Sequence, residues 1–299
     1  MSDPTSISAF GYSLAVLHRG GGLAKFEYLG RALTEECDPA DVRSLYCGDL
    51  LSPWPNRIRD GTYAIGDTSY QLPINEVSRN NSLHGLINTL SWKVSDQTDS
   101  SVRLGATLEY SEHYPTSIDF EVAYELGDSG LIWKLRATNA GQCEVPYGAS
   151  IHPYLIADPQ TSVNEWNLRM PSMKYLEVDS ERLLPIFIAD CSTRNFDFHN
   201  GRRIGNLVID HAFQIDSEDK EQRIELTSSS GVGVWMEYDS SSKWIQIHTA
   251  DRDNGIGSRK SLAVEPMSCP PDAFNSAVDI VWLKPRDSHE ISWKIGALS

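Results

Sequence analysis

Clustered positive charge is scarce in this 299-residue chain, which carries 26 Lys and Arg against 41 Asp and Glu, a formal net charge of −15. No basic run exceeds a pair such as Arg202-Arg203. Gripping a phosphate backbone requires grouped Lys and Arg, so the charge argues against a nucleic-acid partner, and against an anionic membrane surface for the same reason. Apolar runs are short too: none approaches the roughly 20 residues that cross a bilayer. Residues 1–20 lack both the early basic cluster and the uninterrupted apolar stretch of a secretion signal. These absences predict a soluble, cytoplasmic protein. The five cysteines, Cys37, Cys47, Cys143, Cys191 and Cys269, are odd in number and scattered, with no Cys-x-x-Cys pair. They read as reduced, mostly buried thiols, not as a disulfide framework or a thiolate zinc site. Asn80-Asn81-Ser82 matches a glycosylation sequon that is expected to stand idle.

Helical periodicity is missing as well. No stretch sustains apolar residues at i, i+3, i+4 and i+7 over a dozen positions, and residues 34–45 hold a short helix at best. What is present is alternation. In Ile118-Asp119-Phe120-Glu121-Val122-Ala123-Tyr124-Glu125-Leu126 the apolar side chains occupy every second position, the mark of a strand with one buried face. Residues 102–110, 131–138, 231–238, 244–249 and 291–295 repeat the pattern, punctuated by turns such as Gly127-Asp128-Ser129-Gly130. Arg19-Gly20-Gly21-Gly22 lacks the following Lys-Ser/Thr and helix of a phosphate-cradling loop and reads as a glycine turn. A composition that is 40% hydrophobic and 22% charged is that of a globular protein able to bury a large core. Strands spread from end to end without a linker or repeat, so the expectation is an all-β, large single-domain antiparallel β-sandwich spanning residues 1–299.

Five segments set titratable residues among apolar ones: Pro53-Trp54-Pro55-Asn56-Arg57-Ile58, Ser82-Leu83-His84-Gly85, Tyr147-Gly148-Ala149-Ser150-Ile151-His152-Pro153-Tyr154, Leu207-Val208-Ile209-Asp210-His211-Ala212-Phe213 and Ala263-Val264-Glu265-Pro266-Met267. Singly each is weak, since a lone His is commonly a packed structural residue. Glu265 says more, because a carboxylate that follows Leu262-Ala263-Val264 is expected to be partly buried, and a buried charge needs a partner or a purpose. Taken alone, Glu265 also fits a structural ion pair, Arg57 a surface ion pair, and Asp210 a turn residue.

Together these segments resemble the aldose 1-epimerase (galactose mutarotase) family. Asn56-Arg57-Ile58, Leu72-Pro73-Ile74-Asn75 and Leu83-His84-Gly85 with Trp92 downstream match its N-terminal signature. His152-Pro153-Tyr154, Asp210-His211, Glu265-Pro266 and Pro271-Asp272-Ala273-Phe274-Asn275 follow in the family's order, from about Gly11 to the C-terminus. The resemblance implies a galactose mutarotase-like β-sandwich with His152 as general acid and Glu265 as general base on opposite sides of a pyranose. It also implies that Asn56, Arg57, His84, Tyr154, Asp210 and Gln246 line the sugar site. Two departures, Leu155 after Tyr154 and Pro266-Met267 after Glu265, leave the acid and base intact and bear on the identity of the sugar.

The implied reaction interconverts α and β anomers: the C1 hydroxyl loses a proton while the ring oxygen gains one, the ring opens to the aldehyde, the carbonyl rotates, and the ring closes on its other face. One acid and one base suffice, with no cofactor and no metal. Desolvation is expected to tune the carboxylate upward and a nearby negative charge to tune the imidazole upward. The remaining histidines, His211 and His248 among them, read as structural, and Arg59 and Arg79 as solvated surface arginines. The implied partner is a small sugar, whether neutral or carrying a charged C6 group. Three other readings share these residues: a sugar-binding protein without turnover, a glycoside hydrolase using Asp210 and Glu265, and a metal site of His84, His152, Asp210 and Glu265.

Overall fold

The longest alternating segment forms a strand, Ile118–Gly127, that turns through Asp128 and Ser129 and pairs along its whole length with Gly130–Asn139. Each buries one face, as the sequence pattern requires, and the segments expected at 102–110, 231–238, 244–249 and 291–295 form the strands Ser101–Leu108, Gly233–Tyr238, Trp244–His248 and Ser288–Leu298. A computed structural model describes residues 4–37, 45–215, 222–252, 255 and 257–299. Within it the hairpin is the heart of a nine-stranded sheet, ordered Lys93–Gln97, Ser101–Leu108, Ile118–Gly127, Gly130–Asn139, Ser288–Leu298, Gly233–Tyr238, Arg223–Thr227, Asn167–Arg169 and Arg202–Arg203. A six-stranded sheet runs Tyr154–Leu155, Leu262–Met267, Trp244–His248, Asp210–Gln214, Lys174–Val178 and Pro185–Asp190. A four-stranded sheet of the N-terminal segments bonds to the nine-stranded one where the Tyr12 hydroxyl donates to Ser129 O and Tyr124 to Gly21 O. All strand pairs in these sheets are antiparallel. The expected all-β fold is the one observed, and the only α-helix among the described residues is Ala273–Ser276.

One apolar cluster joins these layers, taking Trp133 and Trp293 from the large sheet and Phe213, Ile245, Ile247 and Val264 from the six-stranded one. Burying a side chain the size of tryptophan removes about 150–250 Å² from water, roughly 4–6 kcal/mol at the usual coefficient. With period-two geometry, Leu262 and Val264 point into that core while Glu265 faces the other way, level with Gln246 on the neighbouring strand. Alternation thus does two jobs: one face of the six-stranded sheet anchors the fold, and the other carries polar chemistry.

The cysteine expectation fails at one pair. Cys37 and Cys47 form a disulfide, their Cα atoms 5.6 Å apart, while Cys143, Cys191 and Cys269 are free. A ten-residue separation with no motif leaves such a pairing invisible in sequence, because the fold and not the spacing brings the thiols together. Residues 38–44, most of the segment that could hold a short helix, lie outside the described residues. For protein purified in air, we expect a thiol titration to find three thiols in denaturant without reductant and five after reduction. In the native state only exposed Cys143 should react fast, since burial pushes the Cys191 and Cys269 thiols up to about 12. Five thiols before reduction would refute the pair.

The glycine-turn reading of Arg19-Gly20-Gly21-Gly22 holds, the turn being closed by Leu17 N donating to Gly22 O at 2.9 Å. No helix among the described residues is long and apolar enough to cross a membrane.

Candidate active site

Glu265 sits in the middle of Leu262–Met267, a strand buried at all six positions, and is itself 1% exposed. Its Oε1 lies 3.2 Å from His152 Nε2, and its Oε2 has no hydrogen-bond partner. His152 follows the short strand Ser150–Ile151 and is fixed through its backbone: its N–H donates to Asp49 O at 3.0 Å, and its carbonyl accepts from Gly48 N at 2.9 Å. Gly48 is required there, since it has φ +68° and a Cβ on it would stand 1.8 Å from Leu23 O. The two groups expected on opposite sides of a sugar therefore touch, and present one edge together.

His84 arrives from a second loop and is locked against Asn56. His84 N donates to Asn56 O at 2.9 Å, and Asn56 N donates to His84 Nδ1 at 3.2 Å, with both residues in the left-handed region at φ +60° and +56°. Gly85 beside it bridges to Ser52 so closely that a Cβ would lie 2.1 Å from the Ser52 carbonyl. Because a backbone N–H points at Nδ1, that nitrogen must accept, and the proton of the neutral ring sits on Nε2. The His84 ring packs edge-on to His152, centroids 5.3 Å apart.

The remaining expected residues gather on the same face. Gln246 stands across from Glu265 on one side and Ala212 on the other, and its Nε2 donates to Asp210 Oδ1 at 2.6 Å while its Oε1 has no partner. Arg57 is gripped by Glu76 at 2.9 Å through both Nε and Nη2, and lies close enough to Asp210 and Glu265 to feel their charge. Tyr154 contributes only its ring, 5.0 Å from that of His152, because its hydroxyl donates to Leu45 O at 3.1 Å. Arg59 and Arg79 are surface arginines as expected, their side chains 48% and 36% exposed, and each carries an ion pair, with Asp272 at 3.4 Å and Glu76 at 3.2 Å.

Burial governs the electrostatics. Desolvation, with a smaller contribution from the Asp210 charge, lifts Glu265 well above the ordinary carboxylate value, and Arg57 only partly opposes it. Desolvation, with nearby His248, lowers His152 to about 3. The carboxylate direction matches the sequence expectation, but the imidazole moves the opposite way, since the cost of burying an imidazolium exceeds the attraction of Asp210. Burial also holds His84 well below its ordinary value. Asp210 stays ionised: burial alone would raise it, and Arg57, His248, His211 and the Gln246 amide together bring it below the usual value.

His84, His152 and Glu265 have ligand-type atoms within 4.8 Å of one another, the one such trio among the described residues. The donor chemistry does not fit a metal. His84 Nδ1 is taken by a backbone N–H, its Nε2 carries the proton, and His152 Nδ1 lacks the acceptor that orients a ligating imidazole. What the trio offers is one ring N–H donor beside an acid–base pair.

Sequence reasoning set aside one residue that belongs here and missed another. His248, two positions from Gln246 and opposite Asp210, shares their face, as period two would have told. Tyr46 packs on His84 and His152, centroids 4.6 and 6.4 Å away, and its hydroxyl accepts from Asn75 Nδ2 at 3.2 Å. No motif marks it, because the chain reaches the site there through consecutive left-handed residues, Leu45 and Tyr46. His211 turns instead into the aromatic packing of Tyr175 and Phe196.

Comparison with known proteins identifies the family. The profile described as aldose 1-epimerase matches residues 5–295. An Escherichia coli K12 protein, described as uncharacterized protein YihR, is 33% identical over 291 residues, covering 97% of this chain and 92% of its own. Mouse galactose mutarotase is 26% identical over 234 residues, covering 74% of this chain and 67% of its own. Among solved structures, a putative aldose 1-epimerase from E. coli K12 superposes with a TM-score of 0.84 at 19% identity over 98% of both chains. A galactose mutarotase-like protein from Clostridium acetobutylicum gives 0.84 at 22% over 98% of this chain and 94% of its own. Family and fold support a mutarotase-type function. The chain belongs to the aldose 1-epimerase family.

Proposed function

We propose that the protein is a mutarotase that interconverts the α and β anomers of a hexopyranose or related aldose by general acid–base ring opening and closure. The observation that carries this reading is the His152–Glu265 pair at 3.2 Å, ringed by three buried polar atoms without protein partners: His152 Nδ1, Glu265 Oε2 and Gln246 Oε1. Buried polar atoms are seldom left unpaired, and a polyhydroxylated ring satisfies several at once. The C1 hydroxyl, which gives up its proton, and the ring oxygen, which gains one as its bond to C1 breaks, are attached to the same carbon, so an acid and a base in mutual contact serve both.

The resting pair shares one proton, which burial places on Glu265. Sugar hydroxyls that reach Glu265 Oε2 and His152 Nδ1 stabilise its transfer to His152. Glu265 then takes the proton of the C1 hydroxyl while His152 protonates the ring oxygen. His84, held as a neutral donor, and Arg57 orient sugar oxygens, Asn56 holds both in place, Asp210 and Gln246 read hydroxyls, and the Tyr154 ring backs His152. Each proton-transfer group is worth about 10²–10⁴-fold in rate.

Polarimetry on freshly dissolved α-glucose or α-galactose, extended to sugars with phosphorylated or sulfonated C6, tests the reading. We expect the protein at micromolar concentration to speed equilibration of at least one of them. No acceleration of any would refute it.

A further inference from the structure

Glu76 follows the Leu72-Pro73-Ile74-Asn75 motif and has no assigned part in the site, yet its carboxylate is 9% exposed and fully engaged. Oε2 accepts from Arg57 Nε and from Asn81 Nδ2, both at 2.9 Å; Oε1 accepts from Arg57 Nη2 at 2.9 Å and from Arg79 Nη1 at 3.2 Å. Asn81 is braced from behind, donating to Arg182 O at 3.0 Å and accepting from Arg182 Nη2 at 3.2 Å. A side-on, two-pronged grip fixes the plane of a guanidinium and not merely its distance. It occupies the Nε–Nη2 edge of Arg57 and leaves Nη1, whose one hydrogen bond among the described residues goes to Asn56 Oδ1 at a long 3.4 Å. Arg57 also feels the charge of the ionised Asp210.

We propose that Glu76 is a positioning residue: it holds the Arg57 guanidinium so that the Nη1 edge faces the sugar and Asp210 remains available to a hydroxyl. The inference rests on the mutarotase reading. Three features argue for geometry over bulk stability. The pair is buried, where ion pairs are weak stabilisers compared with apolar packing. The partner is an arginine beside the acid–base pair. And the carboxylate is itself oriented by two further residues, Arg79 and Asn81.

The test is saturation kinetics on the full chain for wild type, Glu76→Gln, Glu76→Asp, Arg57→Ala and the double variant Arg57→Ala/Glu76→Gln, with the aldose that wild type equilibrates fastest. An interaction made equally in ground and transition states shows in KM and not in kcat. Glu76→Gln is therefore expected to raise KM about tenfold with kcat within about threefold, and Glu76→Asp, which keeps the charge, to recover part of the loss. In the Arg57→Ala background the same Gln change is expected to alter KM less than about twofold, because Glu76 acts through Arg57. An unchanged KM in both Glu76 variants, or an equal tenfold penalty with and without Arg57, would overturn the proposal. Should Glu76→Gln fail to fold, the Asp variant decides on KM alone. If wild type accelerates no aldose, the mutarotase reading falls and takes this inference with it, a result distinct from the losses confined to Glu76.

Discussion

Glu265→Gln and His152→Asn are each expected to lower kcat by about 10³–10⁴-fold while the fold survives, and the double variant to be little worse than either alone. Each member of the pair is useless without the other, since one must release a proton where the other accepts one. Gln is nearly isosteric with Glu, and its amide oxygen can accept from His152 Nε2 across the same 3.2 Å, so the replacement removes a proton carrier without opening a cavity. His152→Asn removes more volume from a 5%-exposed site and is expected to cost about 1–3 kcal/mol of stability. Polarimetric rates beside urea unfolding curves separate the two effects. A rate within tenfold of wild type in either variant would strip the pair of its role.

The same two variants are expected to acquire opposite pH dependences of stability. Unfolded, His152 titrates near 6.5 and Glu265 near 4.5; folded, His152 is lowered to about 3 and Glu265 raised. Between 4.5 and 6.5 the unfolded pair holds its one proton on the imidazole and the folded pair holds it on the carboxyl, so the numbers match and the pair adds no slope. Removing Glu265 leaves an imidazole whose folded pKa is depressed, so the unfolded chain binds the extra proton and stability falls as pH drops from 6.5 toward 3. Removing His152 leaves a carboxyl whose folded pKa is raised, so the folded chain holds the extra proton and stability falls as pH climbs above 4.5. One proton is worth at most about 1.4 kcal/mol per pH unit, and every other group cancels against wild type. Reversible urea unfolding at several pH values in that window measures both slopes; parallel curves for the two variants would mean that the pair does not share its proton as described.

Much of this was written locally in the chain. The alternation in 118–126 names a strand, its inward face and, through Gly127-Asp128-Ser129-Gly130, the hairpin that follows. The order of seven short motifs named the family and, with it, residues the fold brings together: His152, Glu265, His84, Arg57, Gln246 and Asp210. What escaped depends on burial or on distant partners. The sign of the His152 shift follows from desolvation, which no spacing reveals. Cys37 with Cys47 and Tyr46 with His84 meet only once the chain has turned through left-handed residues. Glu76 carries no mark of its own in the sequence, and its part emerges only when Arg57, nineteen positions earlier, folds back on it.

The site is assembled from two kinds of backbone. Glu265, Gln246 and Asp210 stand on neighbouring strands, whose ladder fixes their spacing, whereas Asn56, His84 and His152 stand at strand ends and turns, held by a handful of bonds each. Evolution and engineering thus have an easy direction and a hard one: the turns around 52–57 and 82–85 can be exchanged without touching the ladder, while Glu265, Gln246 and Asp210 stay bolted to the sheet.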